Sequence, residues 1–480
     1  MNNNYFELIH AALLRQLDEV CIVWPAEAGG AGAADSYTGG AVLRRVEVYR
    51  AQLLAQGVGT SDAVLLALPV SIELICALLA VMALGAVPVL PPAGAALGTV
   101  VRLVRRLGIR MVVVGAVPGR LVRVAAWLLG VRVCTGTAPV GAAVAPWTAS
   151  LVSAQQPALV SHSSGSTGTA KSIRRSHQVL QAQHAAIETV FPPWPGQRDF
   201  PLFPNILLHN LAAGVVSVLP DLPWGNLPQL NPARLVAQLV QHRVQTLTGN
   251  VFYFRALLAY LHQHPVLLPH VVAVGIGGSP VPEPLAQELR CFFPNATIHI
   301  IYGSSEAEPI AVRPVLPTLP NPLAGYCVGA IQAGLEWRIE PLGQLKRGSA
   351  ASQQVGELWV RGAHVATPAP GQWLRTGDYG YVAEGQLYLT GRQGNERLHQ
   401  GVQHYQLEHL LYHLPGVERV AARADKAGFT LFVQGTVSHE TVTELLAKNF
   451  PASICQAIHL RATLPVDARH YSKILYHQLR

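Results

Sequence analysis

At 480 residues, half of them hydrophobic and only 13% charged, the chain can bury a large core and falls outside the disordered class. Its net charge of +8 comes without a long basic run or an interleaved aromatic stripe, which argues against a nucleic-acid partner and leaves an anionic ligand or surface. The six cysteines, at 21, 76, 134, 291, 327 and 455, show no CxxC spacing and read as reduced thiols of a cytoplasmic protein. The opening Met1-Asn2-Asn3-Asn4 has neither the charge nor the apolar run of a targeting peptide.

Residues 5–20 read as an amphipathic lead-in helix and the Gly/Ala-rich run 27–40 as a loop. Alternation then begins: strand 63–68, helix 71–84 capped by Ser71, strand 86–90, helix 97–107, strand 111–114. The stretch 74–101 has no charge and must be tested as a membrane span, but Pro88, Pro91 and Pro92 interrupt it. No transmembrane segment is expected. Residues 116–149 give no functional reading. Further on, helices are expected at 234–242, 252–262 and 284–293, and strands at 244–248, 271–276 and 297–301. From 355 short strands dominate (356–361, 379–382, 386–389). Residues 391–394 look like a linker, and a small α+β tail follows with helices at 406–414 and 440–449 and strands at 417–423 and 430–434.

The loop Ser163-Ser164-Gly165-Ser166-Thr167-Gly168-Thr169-Ala170-Lys171 follows the apolar run 158–160. Glycines let backbone N–H groups curl round an anion, hydroxyls add donors, and Lys171 adds a cation. A flexible Gly/Ser linker has the same composition. A Walker loop is excluded because Lys does not follow the last Gly directly. Lysine is scarce, with only 171, 346, 426, 448 and 473 in the chain, so one at a motif position carries weight.

The loop resembles the phosphate-binding loop of the adenylate-forming superfamily (acyl-CoA synthetases, adenylation domains, luciferases), with Ala170 for Pro and Ser172 for Gly. Tyr302-Gly303-Ser304-Ser305-Glu306, beyond the strand 297–301, resembles that family's Tyr-Gly-x-Thr-Glu. Trp373-Leu374-Arg375-Thr376-Gly377-Asp378 resembles its aromatic-x-Thr-Gly-Asp, and Gly391-Arg392 its hinge Gly-Arg. Gly277-Gly278-Ser279-Pro280 resembles a wall of the acyl pocket. Pro465-Val466-Asp467-x-Arg469-His470-x-x-Lys473-Ile474 resembles the catalytic-lysine tail, most like that of the β-lactone synthetases of bacterial olefin biosynthesis, which act on β-hydroxy fatty acids.

The resemblance implies an α/β protein: a large adenylate-forming domain of βαβ-type subdomains over 1–390, a hinge at 391–394 and a small mobile α+β domain over 395–480. It implies an enzyme that uses ATP and Mg²⁺ to activate a carboxylic acid, with CoA or an acyl carrier protein as further partners. Residues 163–168 and Lys171 would hold phosphates, Tyr302 would pack on adenine and Ser305 would bond the α-phosphate. Glu306 would bind Mg²⁺, Asp378 and Arg392 would grip the ribose, and Lys473 would complete the adenylation site. Gly277, Gly278, Ser279 and His209, with Asn210 as a second polar candidate, would line the acid's pocket. Two departures concern the hinge: Gly394 stands where the family has Asp or Lys, and Leu398 where a basic residue follows. A non-catalytic nucleotide-binding relative is the alternative of another class. His409 and His413, one helical turn apart, lack the Glu of a zinc-protease pattern and are set aside as a metal pair.

Overall fold

A computed structural model describes the chain except residues 1, 26–33, 93, 116–125, 136–146, 164–170, 225, 348–349 and 468–470. The chain forms two compact units. One comprises Met1–Asn226 with Ser305–Ala307 and Ala363–Pro370, and the other Leu227–Ser304, Glu308–Gly362 and Gly371–Arg480.

The first unit opens with α1 (Phe6–Arg15), β1 (Val20–Trp24), β2 (Asp35–Thr38) and α2 (Gly39–Ala55). The loop expected over 27–40 is therefore wrong from Asp35 on. Small residues win there because Gly39 seats against the end of α1, where a Cβ would lie 2.4 Å from the Leu13 carbonyl oxygen. Alternation then follows the expected order, with β3 (Ala63–Ala67), α3 (Ile72–Ala83), β4 (Val87–Val89), α4 (Leu97–Leu107) and β5 (Met111–Val114). Ser71 caps α3 by accepting from Leu74 N at 3.2 Å. The uncharged stretch thus divides among α3, β4 and the start of α4, and no helix of the described residues is long and apolar enough to cross a membrane. Next come β6 (Arg132–Thr135), β7 (Pro157–Ser163), β8 (Lys171–Ser176) and α5 (His177–Val190). The first sheet runs β6-β5-β3-β4-β7-β8, parallel throughout except for the final β7–β8 hairpin. β9 (Arg198–Pro201), α6 (Pro204–Ala213) and β10 (Val216–Val218) close the unit, with β10 between β9 and β1. Its core gathers α1, α2 and the fully buried run 76–83 of α3.

In the second unit α7 (Pro232–Gln241), β11 (Thr246–Asn250), α8 (Val251–Gln263), β12 (Ala273–Gly277), α9 (Glu283–Glu288) and β13 (Thr297–Ser304) make parallel βαβ crossovers. β14 (Ala307–Pro314), β15 (Tyr326–Ile331), β16 (Leu335–Arg347), β17 (Ala350–Gly362), β18 (Leu374–Ala383) and β19 (Gln386–Arg392) continue the order as β11-β12-β13-β14-β15-β19-β18-β17-β16. A small C-terminal sheet follows, with β20 (Val417–Ala424), β21 (Phe429–Gly435) and β22 (Cys455–Arg461), flanked by α10 (His404–Leu411) and α11 (His439–Asn449). That sheet has its own apolar core around Leu407, Leu411, Phe429, Leu431 and Val442.

Candidate active site

The β7–β8 pairing sets Ser163 opposite Lys171, so the two ends of the glycine-rich loop meet across one hairpin at the carboxyl end of β7. Residues Ser164, Gly165, Ser166, Thr167 and Gly168 lie outside the described residues. Lys171 Nζ stands 3.1 Å from Glu306 Oε1, joining the loop lysine to the proposed metal carboxylate. The Glu306 side chain is mostly covered and the lysine is largely in solvent, so the cation is the partner that a ligand can displace. Arg175 fixes this arrangement. Buried on β8, it donates from Nη2 to the Ser305 carbonyl at 2.6 Å and from Nη1 to Ser161 Oγ at 2.9 Å. From the other side Ala366 N donates to the Glu306 carbonyl at 2.7 Å. Arg175 was not singled out in the sequence. Its signal is period two, because it shares a strand face with the buried Ile173.

The second group is built on β18 and β19. Asp378 and Arg392 are cross-strand partners, which explains how residues fourteen positions apart form an ion pair. Asp378 is buried, and its two oxygens are divided: Oδ1 accepts from the Arg392 guanidinium and Oδ2 from the Tyr302 hydroxyl at 2.7 Å. Thr376 Oγ1 accepts from Asp378 N at 3.0 Å and donates to the Leu358 carbonyl at 2.8 Å, which fixes the peptide. Burial, then the Asp378 carboxylate, push the Tyr302 phenol well above its ordinary range, so it stays a donor. Asp378 holds Arg392 charged by raising its pKa further. Each carboxylate oxygen keeps lone-pair capacity for a hydroxyl, as a ribose grip requires.

Arg392 is the last residue of β19 and not part of a linker. Its N–H donates to His404 Nε2 at 3.0 Å. His404 must then carry its proton on Nδ1, which faces Glu408 Oε1 at 3.1 Å. The same buried oxygen accepts from Ala422 N at 2.8 Å and from the Tyr476 hydroxyl at 2.7 Å. Tyr476 ends the return leg of a hairpin in which Val466 bridges Ile474, Asp467 N donates to the Lys473 carbonyl and Lys473 N to Asp467 Oδ1, both at 2.9 Å. A hydrogen-bond chain therefore runs from the Arg392 peptide to the hairpin that carries the exposed Lys473. His404, Glu408 and Tyr476 were missed because their contacts are made between elements far apart in sequence.

Gly277 ends β12 beside Ile301 of β13, where a Cβ would come 2.4 Å from the Ile301 carbonyl oxygen; only glycine fits. Ser279 Oγ is buried with no partner among the described residues, a free hydroxyl next to Gly278. The other pocket candidate, His209, belongs to the first unit. Its Nδ1 lies 2.9 Å from His184 Nδ1, and His184 Nε2 lies 3.4 Å from Glu188 Oε1. Burial, then His184, push His209 down to about 3, and burial lowers His184 against the pull of Glu188, so the pair is neutral near pH 7. Asn210 is spent on structure, donating to Asp199 Oδ2 at 2.9 Å and Ser217 Oγ at 3.0 Å. His409 is buried on Tyr326 and bonded at Nδ1 to the Pro322 carbonyl at 3.2 Å. Among the described residues no group of three or more His, Cys, Asp or Glu is placed to hold a metal by itself.

The family model described as AMP-binding enzyme matches residues 10–368. The chain belongs to the AMP-binding enzyme family. Asp378, Arg392 and Lys473 lie beyond the matched span. Among relatives, the olefin beta-lactone synthetase of Stenotrophomonas maltophilia is 29% identical over 363 residues, 66% of this chain and 65% of that protein. Just under two thirds of that relative's length is therefore matched. The fold is that of known AMP-binding structures. The ATP-bound MatB from Rhodopseudomonas palustris superposes with a TM-score of 0.79 at 19% identity, covering 99% of this chain and 98% of MatB. The O-succinylbenzoate coenzyme A synthetase MenE from Bacillus subtilis, in complex with ATP and magnesium ion, gives 0.77 at 17% identity with 99% of both chains covered. The expected α/β architecture with a small C-terminal sheet domain stands.

Proposed function

We propose that the protein activates a fatty or β-hydroxy fatty acid with ATP, releasing pyrophosphate and forming an acyl-adenylate. A carboxylate oxygen of the acid attacks the α-phosphorus in line. The bond from that phosphorus to the bridging oxygen breaks, and pyrophosphate leaves with the electron pair. The observation that carries this is the Asp378 cluster, a buried carboxylate with one oxygen on Tyr302 and the other on Arg392. Asp378 and Arg392 take the ribose, Tyr302 the base, and Ser305 with residues 163–168 and Lys171 the phosphates. Glu306 would hold magnesium, because its mostly covered carboxylate offers the hard oxygen donor that ion prefers. When bound, that ion neutralises charge on the departing pyrophosphate. Lys473 places a cation between carboxylate and α-phosphate, where charge shifts in the transition state. Gly277, Gly278 and Ser279 admit the carboxylate close to the backbone, and His209 lines the acyl side. The domain boundaries at 390 and 395 are part of this proposal.

For the adenylate's fate, cyclisation to a β-lactone fits best. The substrate's own hydroxyl oxygen attacks the acyl carbon, AMP leaves, and the hydroxyl proton is lost. Two hinge observations support this. Gly394, at φ +90°, takes the place of the family's charged hinge residue, and Leu398 packs with Leu345, Val355 and Tyr381 where the family has a basic residue. A thioester with CoA or a carrier protein is the second outcome. Product analysis decides: a β-hydroxy fatty acid with ATP and magnesium should yield AMP and a β-lactone without CoA. AMP release that waits for CoA and gives a thioester overturns the lactone.

A further inference from the structure

Positive charge is concentrated in one part of the chain. Residues 74–187 hold ten of the 35 basic residues and none of the 27 acidic ones, so the other 25 basic and 27 acidic residues nearly cancel. The whole stretch belongs to the first unit. There α4 turns Leu103 and Val104 into an apolar cluster and leaves Arg102 and Arg105 in solvent. The chain then enters β5 at Arg110, and Arg132, which opens β6, donates its N–H to the Arg110 carbonyl at 2.9 Å. The helical residues 126–128 are tied to the start of β6 by Val131 N donating to the Ala126 carbonyl at 2.8 Å. That segment leaves Trp127 78% and Leu128 71% exposed. Arg110, Arg132 and residues 126–128 lie on one rim, the amino end of β5 and β6, whereas Ser163 and Lys171 lie at the carboxyl end of β7 in the same sheet; α4 runs between the two ends, and its Arg106 bonds Ser172.

We propose that this rim docks the protein on a membrane surface containing anionic lipid. Exposed indole and leucine side chains at the same end of the sheet as Arg110 and Arg132 suit the headgroup boundary, where the apolar parts sink in and the cations meet lipid phosphates. The stretch itself holds no acidic residue, and Asp62, at the start of the neighbouring β3, is an acidic side chain at this end of the sheet. An acidic protein would satisfy the arginines but gives no reason for Trp127 and Leu128 to stand in solvent. A nucleic-acid site would need aromatic rings interleaved with a track of cations. Docking by Arg110, Trp127, Leu128 and Arg132 leaves the opposite end of the sheet, with Ser163 and Lys171, facing away from the lipid.

Flotation of the full chain with vesicles tests this directly, comparing 3:1 phosphatidylcholine–phosphatidylglycerol with pure phosphatidylcholine at low salt. The protein should partition onto the anionic vesicles only, and 0.5 M NaCl should release it. Arg102→Gln/Arg105→Gln/Arg110→Gln should weaken partitioning by roughly 100-fold, at about fivefold per cation. Trp127→Ala should weaken it by about tenfold. Both variants should keep the wild-type unfolding temperature and acid-dependent pyrophosphate exchange. No partitioning of the wild type, equal partitioning onto neutral vesicles, or polyglutamate competing fully while Trp127→Ala changes nothing would each overturn lipid docking. The last result would assign the rim to an acidic protein.

Discussion

Two neighbouring stretches of the second unit treat the same kind of residue in opposite ways. On β18 and β19, Asp378 and Arg392 are fixed as cross-strand partners, and both Asp378 carboxylate oxygens meet donors. A few residues later, Gly394 sits at φ +90° with open space around it, and Leu398 turns into an apolar cluster. The first stretch holds its chemistry by strand register, which tolerates no substitution without stranding a buried charge. The second holds no charge at these two positions: Gly394 takes a left-handed turn and Leu398 packs. The difference teaches that strand register constrains the charged side chains of Asp378 and Arg392, whereas positions 394 and 398 hold no charge to constrain, which suits the proposed adenylation step and the proposed loss of a second half-reaction.

Lys473→Ala should have the largest effect on the constrained side, lowering adenylation kcat by about 10²–10³ with ATP binding retained. Single-turnover release of pyrophosphate reads this, and an unchanged rate would remove Lys473 from the site. Asp378→Asn comes next. It leaves Arg392 facing a neutral partner and should raise the ATP KM by about 10–100-fold, while Tyr302→Phe, losing one hydrogen bond to a charged acceptor, should cost about tenfold. Tyr476→Phe cuts the chain from Glu408 to the Lys473 hairpin. Its expected signature is a kcat lowered about three- to fivefold at unchanged ATP KM, where loss of packing alone would lower only the unfolding temperature. On the unconstrained side, Leu398→Lys should lower the unfolding temperature by a few degrees through lost burial and leave pyrophosphate exchange unchanged. A large loss of exchange would show that the hinge is constrained after all.

The smallest expected effect concerns acid. His177, pushed down to about 4 by burial, and His209 and His409, each pushed down to about 3, are buried neutral. In the unfolded chain they take protons near pH 6.5, so their neutral burial costs nothing above that pH and progressively favours unfolding as pH falls towards 3–4. Unfolding temperatures measured from pH 7.5 to 4.5 should fall, and His209→Gln should flatten the slope. An unchanged slope would mean that His209 is not buried neutral.

The motifs were legible in order because each is local: a loop, a strand end, a turn. Strand and helix positions from 63 to 114 were legible too, since alternating apolar runs there are bounded by Ser71, Pro91 and Gly108. What stayed hidden was set by distance in sequence. The loop expected at 27–40 gave way from Asp35 on to β2 and α2, because a glycine packs where composition alone suggests a turn. β19 reaches Arg392 because its ladder with β18 continues past Leu389, which no feature of Gly391-Arg392 announces. Arg175, His404 and Glu408 gain their roles from partners more than ten residues away or on another element, and single residues of those types are ordinary surface or core in most sequences.

Acid-dependent ATP–pyrophosphate exchange, measured over fatty and β-hydroxy fatty acids for the wild-type protein and Asp378→Asn, tests the central claim most directly. The expected result is exchange that appears only when an acid is added, strongest with β-hydroxy fatty acids and largely lost in the variant. ATP bound at micromolar concentration with no exchange for any acid would contradict it, and would make the protein a nucleotide binder without adenylating activity.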